Sequence, residues 1–383
     1  MQFGGSGLAS ARHLGQPVVP GSMPSPTQPS RLICLDSLRG LAALVVLLHH
    51  AEKLEPWPPL QHLMQLPWLH PKSAVAFFFV LSGFVLQIGL CRRPASLLEC
   101  AHFWWRRAWR LYPLFWLSLL LAAGLFFTLP VLHSGLSFPE AAGGTVAAAD
   151  HSDWRQWLLQ ASLALPGLDG GFINPPIWTL VVEMRVALLF PMVSLTLRAL
   201  PLWGGMLCMA LSFLLLPTIG GFVAMLPLFV LGAQAAEIRQ RGPWLDRMGV
   251  ASLLLGALLY GAAGWARQHR GLGLIGQLHL AGTGSVLILV AALQIRGLRG
   301  WLECAPFALL GRLSYAVYVL HLPLLMVLFW ALRTAGWGPA AFHVLSLPVV
   351  LVIAALAHRW IELPALALGR KSWGLLRQGG RAR

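Results

Sequence analysis

The chain reads as an all-α integral membrane protein of about ten transmembrane helices, with both termini in the cytoplasm and a polar tunnel between the helices. Three observations predict this class. Of 383 residues, 57% are hydrophobic and only 11% charged, and the mean hydropathy of +0.70 is too high for a soluble domain. Apolar runs long enough to cross a hydrocarbon core of about 30 Å recur along the sequence. A few polar residues, Arg39, His50 and Glu183 among them, interrupt those runs. Ionisable groups are expensive in lipid and usually mark a functional pathway.

Residues 1–30 are rich in Gly, Ser and Pro and hold no sustained apolar run. They read as a disordered leader and not as a secretory signal. Residues 31–365 form the transmembrane domain, with spans expected at 35–52, 73–91, 111–131, 176–197, 201–217, 219–236, 249–265, 278–295, 313–332 and 342–361. Only Pro217 to Gly220 separates the fifth span from the sixth, which predicts a tight helical hairpin. The stretch 154–165 is too short to span and suits an interfacial helix on the longest loop, 132–175. Residues 366–383 read as a basic cytoplasmic tail. A cytoplasmic N-terminus places most of the 28 Lys and Arg residues inside, which sets the orientation.

The net charge of +15 then reflects loops facing anionic lipid, and nucleic acid is not expected as a partner. Cys34, Cys91, Cys100, Cys208 and Cys304 have neither metal-ligand spacing nor the pattern of a disulfide framework, so no metal site is expected. The 17 tryptophans fit an interfacial belt.

The first span, LDSLRGLAALVVLLHH, carries the most informative pair. Arg39 and His50 are eleven residues apart, about three helical turns, so both fall on one face some ~16 Å apart. An Arg at one border puts the imidazole near mid-membrane, and Asp36 stands where a helix N-cap would. His49 points about 100° away from His50 on the same helix. His50 is either a buried imidazole bonded to a carbonyl or a catalytic base.

In the fourth span Glu183 lies five residues past Trp178, the expected belt residue, at a depth comparable to His50. An acid there must be paired or protonated. It pairs with Arg185 or another helix, or it orients His50. Arg106, Arg107 and Arg110 precede the third span; they mark topology, or Arg107 and Arg110 clamp a phosphorylated ligand. Ser314, Tyr318 and His321 share a face in the ninth span and suggest a polar cavity. Ser82 is a cavity or packing residue in the second span. Glu362, beside Pro364, reads as a helix-end ion pair and stop signal.

Together these segments resemble the acyltransferase 3 family of integral-membrane O-acyltransferases. The resemblance covers about residues 31–365 and rests on six patterns in order. These are Arg39 followed by His50, the stretch FFFVLSGFVL, and Arg107-Ala108-Trp109-Arg110 with Leu-Tyr-Pro. Then come Trp178-Thr179-Leu180-Val181-Val182-Glu183, Ser314-Tyr315-Ala316-Val317-Tyr318 with His321, and Glu362-Leu363-Pro364. Thr179 and Val181 stand where the family usually has serines, and Met184, Arg185 and Ala187 replace bulkier residues, which bears on acceptor specificity. The fused SGNH-type domain of many relatives is not expected.

The resemblance implies an enzyme that moves an acyl group, acetyl first among the candidates, from cytoplasmic acyl-CoA to a hydroxyl of a carbohydrate or cell-envelope acceptor. Arg39, Arg107 and Arg110 would meet the coenzyme A phosphates. His50 would act as general base or acyl carrier, with Glu183 setting its tautomer. Acyl-CoA, acetyl-CoA in the first instance, is a co-substrate, and no tightly bound cofactor is expected. Membrane lipid, the acceptor and a separate envelope-assembly protein are the expected partners, and a bacterial inner membrane is the expected location. The rival reading is a transporter or flippase that uses the buried Arg, Glu and His to move a glycan or lipid-linked intermediate.

Overall fold

A computed structural model describes residues 32–91, 93–128, 154–163, 174–201, 203–219, 223–241, 249–269 and 271–379. The leader expected over 1–30 and most of the 132–175 loop lie outside the described residues. Every regular element among those described is helical. Among the described residues, eight helices are long and apolar enough to cross a membrane. Six of them are α1 (Ile33–Leu54), α3 (Pro71–Cys91), α4 (Leu97–Thr128), α6 (Trp178–Ala199), α9 (Gly249–Gln268) and α10 (Leu274–Gln294). The other two are α12 (Ala305–Thr334) and α13 (Pro339–Ala357), the latter continuing into later turns. Short helices α2 (Pro58–Met64), α5 (Trp154–Ser162) and α11 (Arg296–Leu302) join or flank them.

The expected fifth and sixth spans are helices of only 16 residues each, α7 (Gly204–Ile219) and α8 (Leu226–Arg241). At ~1.5 Å per residue such a helix covers about 24 Å, short of the ~30 Å core. Their directions still make them a traverse and a return. Arg241 Nη2 donates to the Arg198 carbonyl at 2.9 Å, and Gln234 donates to the Pro201 carbonyl. So α8 ends where α6 finishes and α7 begins. In addition, α3 and α8 run parallel: Gln87 Nε2 donates to Glu237 Oε2 at 2.8 Å, and one turn on Cys91 reaches Gln240 at 3.0 Å. Two helices separated by α4, α6 and α7 run parallel only if α7 carries the chain back across.

Glycine sets the two closest helix crossings. A Cβ on Gly83 would lie 1.9 Å from the Phe229 carbonyl oxygen, and one on Gly232 would lie 1.8 Å from that of Val80, so α3 and α8 meet backbone to backbone. Ala at either position must part the helices. Gly83→Ala is expected to lower the thermal transition of the detergent-solubilised protein by several degrees, whereas Gly89→Ala, which meets nothing within 4 Å, leaves it in place. Equal transitions would refute this crossing.

The second crossing joins α1 to α12 at Gly40 and Gly311, each Cβ of which would fall within 2.7 Å of the other helix's backbone. Ten residues further along each helix come His50 and His321, again in contact. The two helices therefore run parallel and stay together over about 15 Å.

Four of the eight long helices carry an internal proline. A proline has no N–H for the carbonyl four residues back, so it frees that carbonyl. Two of the freed carbonyls have found partners: Trp104 Nε1 donates to Ala187, released by Pro191, at 3.1 Å, and Asn174 Nδ2 donates to Val319, released by Pro323, at 3.1 Å.

Several expected boundaries move. The α1 helix begins at Ile33, so Asp36 sits inside its first turn and does not cap it. There it complements the positive helix end. The α4 helix begins at Leu97, which leaves Arg107 and Arg110 ten and thirteen residues inside it instead of before a span. Glu362 does not end a helix. It closes a single π-helical turn, His358–Glu362, which runs on into α14 (Leu363–Gly379). Pro364 is the second residue of α14 and has no N–H to give to the turn before it. The segment expected as a tail is thus largely helical and lies against α4, with Trp105 Nε1 donating to the Gly369 carbonyl at 3.0 Å.

Candidate active site

The functional side chains fall into two groups along the α1–α12 pair. Nearer the glycine crossing lie three arginines, each held by a carboxylate. Arg39 Nη1 lies 3.3 Å from Asp36 Oδ1. Arg107 on α4 pairs with Glu183 on α6, which also accepts from Ser82 Oγ at 3.3 Å. Arg110 Nη1 lies 2.6 Å from Glu362, whose other oxygen is 2.8 Å from His358 Nδ1. The Arg110 guanidinium also stands over the Tyr315 ring, 5.5 Å from its centroid. Arg107, Arg110 and Glu183 are all within electrostatic reach of Arg39.

Three cations and three acids make this group close to neutral. That disagrees with a simple positive clamp, since pairing is what lets charges sit this deep. A guanidinium has five N–H donors, and a single carboxylate leaves several of them available. Arg107 Nε, for one, is buried without a hydrogen-bond partner. The pairs fix the arginines in place while leaving donors for an anion.

About 9 Å further along α12, by helix rise from Tyr315, stands the second group. His50 Nδ1 is 2.9 Å from the Val46 carbonyl and 3.2 Å from His321 Nε2. His321 Nδ1 is 2.7 Å from the Tyr318 carbonyl. Both rings are buried, His321 to 1% exposure. Tyr318 OH meets Thr179 Oγ1 at 2.8 Å, and Thr179 lies 3.0 Å from the Pro176 carbonyl, which ties α12 to the start of α6. Trp178 packs its edge on Phe79, with centroids 6.1 Å apart. His49 stands beside the dyad, its ring centroid 5.4 Å from that of His50.

One expected arrangement is corrected here. Glu183 does not orient His50: it lies one turn from Thr179 toward the arginines and is held there by Arg107 and Ser82. The ring partners of His50 are Val46 and His321. Asn174 was missed altogether, because the signal that finds it is the carbonyl freed by Pro323. Its Oδ1, like Ser314 Oγ, is buried without a hydrogen-bond partner. Among the described residues no group of three or more His, Cys, Asp or Glu could hold a metal ion, and none of the five cysteines is in a disulfide.

The Val46 carbonyl can only accept, so His50 Nδ1 carries the ring proton and Nε2 keeps a lone pair. That is an imidazole set to take a proton, with guanidinium donors one helix segment away.

Comparison with known proteins gives the family. The sequence matches the acyltransferase 3 profile, described as an acyltransferase domain, over residues 32–359. It is 28% identical over 387 residues to "Acyltransferase MdmB" of Streptomyces mycarofaciens, covering 90% of this chain and 95% of that protein. It is 32% identical over 169 residues to "Protein 2 in picA locus" of Rhizobium radiobacter, covering 42% of this chain and 82% of that protein. No solved structure matches it. A family of acyl-transferring enzymes decides against the transporter alternative. The chain belongs to the acyltransferase 3 family and is an integral-membrane acyltransferase.

Proposed function

We propose that the protein moves an acyl group, acetyl in the first instance, from cytoplasmic acyl-CoA to a hydroxyl of a carbohydrate or other cell-envelope acceptor. The location that goes with this is a bacterial inner membrane. The observation that carries the reading is the 2.9 Å contact between His50 Nδ1 and the Val46 carbonyl, which puts the ring proton on Nδ1 and leaves Nε2 as a buried base. An acceptor hydroxyl gives its proton to Nε2 as its oxygen attacks the thioester carbonyl. The carbon–sulfur bond breaks, and the proton passes from Nε2 to the departing thiolate. The unpaired Ser314 Oγ and Asn174 Oδ1 supply polar contacts to a ligand in the helix bundle.

The donor end follows from the arginines. Arg39, Arg107 and Arg110 bind the coenzyme A phosphates through the N–H groups their carboxylates leave free. The ~16 Å between Arg39 and His50 suits an extended pantetheine arm. Glu183 and Glu362 hold the arginines and do not touch the reacting atoms.

Two measurements test this. Membranes from expressing cells, supplied with [14C]acetyl-CoA, are expected to gain labelled ester that control membranes lack. Coenzyme A itself is expected to bind the Arg107→Ala/Arg110→Ala variant at least tenfold more weakly than the parent, because two charge-assisted contacts are lost. Unchanged coenzyme A affinity would reduce these arginines to parts of the scaffold. Absence of labelled product with acetyl-, succinyl- and propionyl-CoA alike would overturn the reaction.

A further inference from the structure

With Glu183 engaged elsewhere, a basic His50 still needs a group that fixes its tautomer and supports the charge it acquires. We propose that His321 is that positioning residue: its Nε2 lone pair accepts the His50 Nδ1–H and stabilises the imidazolium that His50 becomes during acyl transfer. The proposal rests on the reading of His50 as the base.

The argument is an accounting of protons. His50 Nδ1 faces the Val46 carbonyl at 2.9 Å, and His321 Nδ1 faces the Tyr318 carbonyl at 2.7 Å. A bare ring nitrogen against a carbonyl oxygen at these distances sets two lone pairs against each other, so both Nδ1 atoms carry hydrogen. In a neutral His321, Nε2 is then an acceptor, 3.2 Å from His50 Nδ1. One N–H is shared between the Val46 oxygen and this nitrogen. The reverse arrangement, with the proton on His321 Nε2, would leave His50 Nδ1 bare against Val46. The rings meet tilted, with centroids 5.0 Å apart and planes at 54°.

In the reaction, His50 Nε2 takes the hydroxyl proton and later returns it to the thiolate, while the Nδ1 proton stays where it is. As the ring becomes positive, both bonds from Nδ1–H turn charge-assisted and strengthen. A neutral acceptor suits a buried site. It adds no standing charge to the resting enzyme, and its effect grows only as charge develops in the transition state. The geometry is braced from outside, because Tyr318, whose carbonyl holds His321, is tied through its hydroxyl to Thr179 on α6.

The test compares His321→Gln, which puts an amide oxygen near the position of Nε2, with His321→Met, of similar reach but with only a weak acceptor. Acyl transfer from [14C]acetyl-CoA is followed in membranes at matched protein levels. His321→Met is expected to lower kcat roughly 10- to 100-fold with KM for acetyl-CoA unchanged, and His321→Gln to recover most of the loss. If His321→Met fails to fold, His321→Asn takes its place, since the shorter amide cannot reach His50 Nδ1, and the same loss is expected. Parental kcat in His321→Met, or a His321→Gln as impaired as His321→Met, overturns the proposal. His50→Gln runs alongside: activity that survives it removes the base reading itself. An inactive His50→Gln beside a fully active His321→Met removes only the role of His321.

Discussion

His50→Gln is expected to reduce acyl transfer by roughly a hundredfold to ten-thousandfold, the range for loss of a general base, while His49→Gln changes it by only a few-fold. The two residues are neighbours on α1 and share its apolar setting, so the comparison isolates the register of the helix. His50 points at α12, where its Nδ1 meets His321, and His49 stands to one side. Coenzyme A affinity is expected to survive in both variants, because the arginines form a separate group, with Arg39 about three turns from His50 on α1. The measurement is labelled-ester formation in membranes, with binding of coenzyme A as the control. A dead His49→Gln beside an active His50→Gln would mean that the facing side of α1 has been misjudged.

The second large effect concerns the crossing that aligns the two histidines. A Cβ on Gly311 would lie 2.4 Å from the Asp36 carbonyl carbon and 2.6 Å from the Ser37 nitrogen. These are backbone atoms and cannot rotate away. Gly311→Ala is expected to destabilise the protein by about 1–3 kcal/mol, as overpacking of a tight contact does, and to reduce acyl transfer more than coenzyme A binding. Gly297→Ala and Gly300→Ala, which meet nothing within 4 Å, serve as controls. Thermal unfolding in detergent and the labelled-ester assay give the two readings. A Gly311→Ala protein that melts and turns over like the parent would show that α1 and α12 have room to part.

How much of this was visible in the residues alone depends on whether a feature is local. Apolar runs report helices directly, so eight of the ten expected spans are found as long helices with shifted ends. The Arg39–His50 stripe also needed only helix periodicity. Periodicity gives a face but not the neighbour that covers it. His321 was legible as a polar residue on a shared face with Ser314 and Tyr318, yet its contact with His50 spans 271 residues of chain. Of the two readings of Glu183, a pair with another helix is the one found and a hold on His50 is not; depth alone did not say which helix would supply the partner. Arg107 and Arg110 were put at a border because unpaired arginines belong there. Inside the fold Glu183 and Glu362 neutralise them, and the helix continues through.

Helix scales score Pro323 as the least favourable residue in the middle of α12, and its replacement by Ala would count as an improvement by about 3 kcal/mol. The Val319 carbonyl it releases gives that score another meaning. The proline works as an open socket, and the amide of Asn174 is the plug that fastens the approach to α6 onto α12 two residues from His321. Ala at 323 would return the carbonyl to the helix ladder and leave Asn174 without an anchor. A straighter, more regular α12 would then hold its histidine less firmly, so in this enzyme a gain in helix quality would be a loss of alignment.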